Sequence, residues 1–590
     1  MREPFVLLDD SRPGQERATL FTDLGQIVTA RDAAEVAPAL EALGAARESG
    51  FFAAGYFSYE LCYALEPKLA RLMPAPLPAP LLWFGLFRSR TVLAAGEASA
   101  WLESRIEGRA YAGPLRLGQS PQGYGRAFSQ VRDYILAGDV YQVNLTFPSR
   151  FAFAGDPLAL YARLRPCAQA GHGAYVHDGE RSILSLSPEL FFAVADGVLT
   201  ARPMKGTAPR GRDGAEDARL FAQLKTSEKD RAENLMIVDL IRNDVGRVAE
   251  TGTVAAEDLF AVETYPTVHQ MVSTVRGRLR AGTSPGDLVR ALFPCGSVTG
   301  APKLRAIEII RELEQEPRGV YCGAIGSFAP DGSAEFNVAI RTLTIEGREG
   351  RLAIGGGIVA DSKADAEYEE CRVKARFFEE GRPPLSLIET LRHAPGEGFV
   401  RGSLHLARLQ RSAAALGLPF DGEAARETLA GAVKGAAGPC RVRLQLNENG
   451  SMDALVQPFA PLGADAVWTY RVSPRRLQSG DALSRHKTSW RALYDAERAA
   501  ANEAGCDEVI YLNQRGEAVE GSITNIFLRR DGRLVTPADV SGPLDGCLRR
   551  ALLDSGECAE AVLRLPDLEA GEVYLGNSLR GLIRAAHFTR

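Results

Sequence analysis

At 590 residues the chain is too long for one ordinary hydrophobic core, so two or more domains are expected. A net charge of −5 and a pI near 6.0 argue against a general nucleic-acid surface, and no apolar run is long enough to span a membrane. Nine scattered cysteines with no C-x-x-C pair, and only seven histidines, argue against disulfides or zinc and suit a cytoplasmic setting. The start, Met1 to Phe5, shows no signal-peptide core.

In chain order, Phe51 to Leu61 is aromatic and apolar and predicts a buried strand broken by Gly55. Leu72 to Leu82 carries four prolines and predicts a loop. Arg126 to Leu136 has helical spacing and stops at Gly138; Val140 to Leu145 then predicts a strand. Ile183 to Phe192 predicts one strand kinked at Pro188, with Glu189 in an apolar setting. Such a carboxyl is either solvated at a strand end or has a raised pKa and acts as a proton donor.

The stretch Pro203 to Gly211, PMKGTAPRG, predicts a constrained turn that presents Lys205. Such a lysine is usually a solvated surface group, but near other cations it can serve as a neutral nucleophile. Glu228 to Val248 predicts an amphipathic helix on which Asp230 and Glu233 share a face. Phe293 to Lys303 predicts a small-residue loop feeding a helix over 304–313. Tyr321 to Phe328 and Glu335 to Thr344 predict strands, and Arg341 follows an apolar run, where a buried guanidinium needs an anion. Gly355, Gly356 and Gly357 leave bare backbone for ligand approach. Lys363 to Phe378 predicts a helix with Glu367 and Glu370 on one face and Lys374 beyond. Carboxylates from two such helices could meet on Mg²⁺.

These residues resemble the chorismate-utilising enzymes. The resemblance rests on PMKGTAPRG, ENLMIVDLIRND, FPCGSVTGAPK, NVAIRT, IGGGIVADS and AEYEECRVKA. It implies that Lys205 adds to C2 of chorismate as the 4-hydroxyl leaves, with Glu189 as the acid, and that ammonia then replaces the lysine at C4. It further implies Mg²⁺ on Glu233 and Glu370, with Asp230 and Glu367 close by. The implied substrate contacts are Thr299, Tyr321, Arg341, Lys374 and the Gly355–Gly357 backbone. Anthranilate-forming members carry a small residue in place of the lysine. They also tend to have histidine where this chain has Gln270, beside His269. No stretch leaves room for a glutaminase, so a separate glutamine amidotransferase subunit is expected as the ammonia source.

Gly381 to Pro384 predicts a boundary between domains over 1–380 and 385–590. After it come Leu387 to Arg392, a helix from His405 to Gly417, the turn Ser484 to Thr488, and GEAVEGSITNIF at 516–527. Each piece alone has an ordinary surface reading. Together they resemble fold-type IV pyridoxal-phosphate enzymes. That resemblance implies Lys487 as the lysine that binds pyridoxal 5′-phosphate and moves a proton. It implies Glu520 at the pyridine nitrogen and Asn525 beside the ring. Arg408, the Gly546–Cys547 backbone and Ser578 would meet the phosphate. Such domains commonly dimerise.

The expected fold is α/β (α+β): a large β-sandwich with helices, then a smaller α/β domain. The two resemblances together imply synthesis of 4-aminobenzoate, a folate precursor, by C4 amination and pyruvate elimination. An anthranilate-type first domain joined to an aminotransferase is the rival reading.

Overall fold

The computed structural model describes residues 2–265 and 268–588 and divides into two compact units. The first comprises Met1–Ser104, Leu115–Phe151 and Tyr161–Gly381. The second comprises Arg382–Arg590 together with two early segments, Arg105–Pro114 and Ala152–Leu160. Among the described residues no helix is long and apolar enough to cross a membrane.

The first unit is built on antiparallel strands. Arg17–Ala30 pairs with Leu82–Leu93, which also pairs with Phe52–Phe57. The pairing continues through Ala324–Phe328 and Ala334–Val338 to Leu190–Ala195. Aromatic rings fill the interior; Phe336 stacks on Phe192 at 5.1 Å between centroids. The strand Thr342–Glu346 lies between Ser182–Ser187 and Glu349–Ile358.

Several predicted strands are shorter or broken. The strand expected from Phe51 ends at Phe57, and the chain turns into the short helix Leu61–Leu65. Ile183 to Phe192 is two strands, Ser182–Ser187 and Leu190–Ala195, parted at Pro188-Glu189. Glu335 to Thr344 is likewise two strands, because Arg341 takes a left-handed φ of +48° between them. The helix expected over Lys363 to Phe378 stops at Lys374 and restarts at Arg376. Lys205 lies not in a free turn but in the strand Met204–Pro209. Its register against Val268–Arg278 shifts between Met204 and Thr207, and Gly206 supplies φ +99° at this bulge.

The second unit holds two sheets. The smaller runs Gly398–Phe399, Leu387–Ala394, Cys440–Leu446, Met452–Pro458, all antiparallel. Helix Gly402–Leu416, ended by Gly417 at φ +68°, packs on it and buries Leu409 and Leu416 against Leu391 and Leu444. Tyr111, from the early segment, is part of this core. The larger, eight-stranded sheet includes Glu508–Asn513, Ala518–Gly521, Asn525–Arg530 and Glu572–Asn577.

Candidate active sites

In the first unit the bulge aims Lys205 inward. Its Nζ lies 3.4 Å from Glu233 Oε2. Glu233 projects from helix Glu228–Gly246, whose start is capped by Ser227 accepting from the Asp230 N–H. Asn234 Nδ2 donates to the Lys205 carbonyl at 3.3 Å, which ties the helix to the bulge. Gly206 is needed for space as well as for φ, since a Cβ there would lie 3.0 Å from Asp230 Cβ. Gly357 faces the lysine: a Cβ on it would come within 2.7 Å of Lys205 Nζ.

Glu189 is buried at the strand break, and burial pushes its carboxyl up to about 7. Its Oε1 has no hydrogen-bond partner. The helix Ala364–Lys374 brings a second pair of acids. Glu370 sits 2.8 Å from Lys374 Nζ, which also donates to the Gly355 carbonyl at 2.9 Å. Burial works to raise Glu370, but Lys374, Lys205 and Lys229 outweigh it and hold the carboxyl low. Glu367 is raised, by burial first, although Ser362 donates to it at 2.6 Å. Arg341 has no ion pair among the described residues, and burial lowers its guanidinium.

The structure thus gathers Lys205, Glu189, Glu233, Glu367, Glu370, Lys374 and the glycine strand. Of the other two expected contacts, Thr299 has its hydroxyl engaged within its own loop and Tyr321 lines a cavity. Thr299 donates to the Cys295 and Gly296 carbonyls of its own loop. Tyr321 is buried beside a cavity of about 280 Å³ that Thr342, Glu316 and Arg351 also line. Gln142 was not singled out from the sequence. It is fully buried next to Gly357, and neither end of its amide has a partner. A polar residue opening the apolar run QVNL was the available signal.

In the second unit Lys487 lies along the edge of the smaller sheet, where Ile388 N donates to its carbonyl at 2.8 Å. Burial, reinforced by the Arg408 cation, pulls the Lys487 ammonium down to about 8. Glu520 accepts from Tyr494 OH at 2.8 Å and from Leu544 N at 2.9 Å. Arg408 makes a two-pronged pair with Glu389, at 2.8 and 2.5 Å, and donates to the Asp545 carbonyl at 3.1 Å. Asn525 Nδ2 donates to the Leu544 carbonyl at 2.9 Å, so Arg408 and Asn525 both brace the turn before helix Cys547–Asp554. A Cβ on Gly546 would fall 1.9 Å from Asn525 Oδ1. Ser578 Oγ and His405 Nε2 are buried without partners.

These features fit a phosphorylated pyridine cofactor. They supply an unpartnered Ser578 hydroxyl, an arginine-braced turn at a helix start, a lysine of lowered pKa and a buried carboxylate. Glu389, His405 and Cys547 also bring ligand atoms within 4.8 Å of one another. Glu389 is committed to Arg408 and His405, so the trio is better described as an ion-pair network than as a metal site. Sequence reading assigned no role to Glu389; its place in an apolar strand was the only cue.

The chorismate binding enzyme family matches residues 3–380, so the chain belongs to that family. The amino-transferase class IV family matches residues 386–588, a class that implies pyridoxal phosphate. The chain is 46% identical over 275 residues to aminodeoxychorismate synthase component 1 of Klebsiella aerogenes, covering 46% of this chain and 61% of that protein. It is 45% identical over 289 residues to aminodeoxychorismate synthase of Streptomyces griseus, covering 48% and 39%. It therefore spans less than two thirds of these relatives. The crystal structure of anthranilate synthase component I from Streptococcus pneumoniae matches with a TM-score of 0.52 at 27% identity, over 64% of this chain and 90% of that one.

Proposed function

We propose that the first unit aminates chorismate at C4 to give 4-amino-4-deoxychorismate, and that the second eliminates pyruvate from this product to leave 4-aminobenzoate. The observation that carries the reading is Lys205 Nζ held 3.4 Å from Glu233. The anthranilate-forming alternative requires a small residue where this lysine stands.

Glu189, with its pKa near 7, holds a proton for the departing 4-hydroxyl. Lys205 adds at C2 as that hydroxyl leaves as water. Ammonia then bonds to C4 and the Lys205 amine departs from C2. Arg341, the Lys374 ammonium and the backbone at Gly355–Gly357 serve the substrate carboxylates. Glu233 and Glu370 would hold Mg²⁺, giving up their pairs with Lys205 and Lys374; it would supply charge opposite a substrate carboxylate. We infer a separate glutamine amidotransferase as the ammonia donor, in keeping with the designation component 1 of the relatives.

Pyridoxal phosphate, when bound in the second unit, supplies an electron sink. Arg408, Ser578 and the Gly546–Cys547 backbone would hold its phosphate, and Glu520 its ring nitrogen. Lys487 takes the proton from the amine-bearing carbon, and the enolpyruvyl ether oxygen leaves, which aromatises the ring. Dimerisation through this unit is part of the proposal.

The test is product analysis with chorismate, ammonium, Mg²⁺ and pyridoxal phosphate. 4-Aminobenzoate with pyruvate is expected. Anthranilate would overturn the first half of the reading. An accumulating non-aromatic amine would overturn the second.

A further inference from the structure

Lys487 continues the smaller sheet of the second unit: Leu387 bridges Thr488, and Ile388 N donates to the Lys487 carbonyl. Side chains alternate faces along a strand, and directly opposed residues share one. Lys487 therefore shares its face with Ile388, Thr390 and Arg392, and across the ladder with Arg443 and Arg441. Its ammonium does lie 3.4 Å from Thr390 Oγ1. The opposite face sends Leu391, Val442 and Leu444 into the core.

Arg392 stands one pleat beyond Thr390, about 7 Å along the strand, and Arg441 stands directly across from it, about 5 Å away. Both Nε atoms are buried without a hydrogen-bond partner, and neither guanidinium forms an ion pair among the described residues. Arg580 belongs to the same group; burial, then Arg498 and Arg441, lower its guanidinium. The carboxylate near Arg580 is Glu508, and it already accepts from Val509, Ser522 twice, Ile523 and Thr524. Like charges directly opposed on a sheet are destabilising. Half-buried arginines without carboxylates are an anion site awaiting its ligand.

We propose that Arg392 and Arg441 form a carboxylate-binding subsite of the second unit, set beyond Lys487 to receive the far end of an anionic amine substrate. This deepens the lyase reading and rests on it. In 4-amino-4-deoxychorismate the ring carboxylate lies para to the amine, so an amine held at Lys487 directs that carboxylate away from the lysine. A branched-chain amino acid carries no such second anion.

The test compares wild-type holoenzyme with Arg392→Met and Arg441→Met. Each variant should raise KM for 4-amino-4-deoxychorismate about tenfold or more, with a much smaller change in kcat. Calorimetric binding of 4-aminobenzoate should weaken by a similar factor, while cofactor absorbance per chain stays unchanged. Arg392→Lys, which keeps the charge, should recover part of the binding. Unchanged KM and unchanged calorimetric affinity would overturn the subsite while leaving the lyase reading intact. If the wild type fails to convert 4-amino-4-deoxychorismate, the lyase reading fails, and L-glutamate against L-leucine as amine donors decides the subsite. A glutamate preference that Arg392→Met abolishes supports it; equal use of both overturns it.

Discussion

Lys205 and Glu233 are joined across a bulged strand and a helix by a 3.4 Å ion pair. The pair sets the position of the amine. It holds the Nζ over Gly357, where an added Cβ would come within 2.7 Å of it. Replacing Lys205 with alanine removes the proposed nucleophile from a half-buried position and leaves the bulge glycine in place. The expected outcome is loss of 4-amino-4-deoxychorismate formation with an unchanged circular dichroism spectrum and melting temperature. Retained amination would reject a covalent role for this lysine.

Glu189 has its carboxyl raised to about 7 by burial. A general acid works in its protonated form, which is populated below that value. At constant free ammonia, the first-half rate should therefore fall as pH rises above about 7, approaching tenfold per pH unit. Glu189→Gln should flatten this limb and lower the rate by about 10² to 10⁴. A wild-type rate that is flat between pH 6 and 9 would count against the assignment.

Much of both sites was legible because local pattern coincides with function. The apolar face and Ser227 cap of Glu228–Gly246 mark a helix, and the helix carries Glu233. Gly417 ends its helix as expected. What stayed hidden depends on contacts distant in sequence. The Lys205 bulge arises from pairing with Val268–Arg278, which no property of PMKGTAPRG encodes. The break at Arg341 needs a left-handed residue inside an apolar run that reads as one strand. Gln142 acquires meaning only beside Lys205 and Gly357, and Glu389 only beside Arg408. The early segments Arg105–Pro114 and Ala152–Leu160 carry no compositional mark of their place in the second unit.

Tyr111 makes that last point measurable. It is fully buried among Leu385, Leu416, Val442 and Leu483. Tyr111→Ala should leave a cavity in the second unit and destabilise it by about 3–5 kcal/mol. Urea unfolding followed by cofactor absorbance reports on this unit. A midpoint unchanged from wild type would show that the early segment adds nothing to its core.

Lys487 is separated in function from Lys205 by the proposal, so its loss should uncouple the two reactions. Lys487→Ala, given chorismate and ammonium, should accumulate 4-amino-4-deoxychorismate and release no 4-aminobenzoate. Chromatography of the reaction mixture distinguishes the two. Undiminished 4-aminobenzoate from a preparation free of other lyases would remove Lys487 from the elimination step.

Glu389 and Arg408 test whether the ion-pair network beneath the cofactor site is structural. Burial alone would raise the Glu389 carboxyl, but Arg408 and His405 overcome it and hold the group down to about 2. A folded-state pKa below the ordinary 4.5 means the group adds stability that is fully present above about 4.5 and is lost as pH falls through about 2. Glu389→Ala leaves Arg408 buried at 5% exposure with its charge uncompensated. The expected cost at pH 7 is about 3–5 kcal/mol, because breaking a buried pair strands the remaining ion. Glu389→Ala combined with Arg408→Met should recover part of that loss while weakening phosphate binding, measured calorimetrically with inorganic phosphate on the cofactor-free protein. Recovery of stability without loss of phosphate affinity would confine Arg408 to the fold and take it out of the cofactor site.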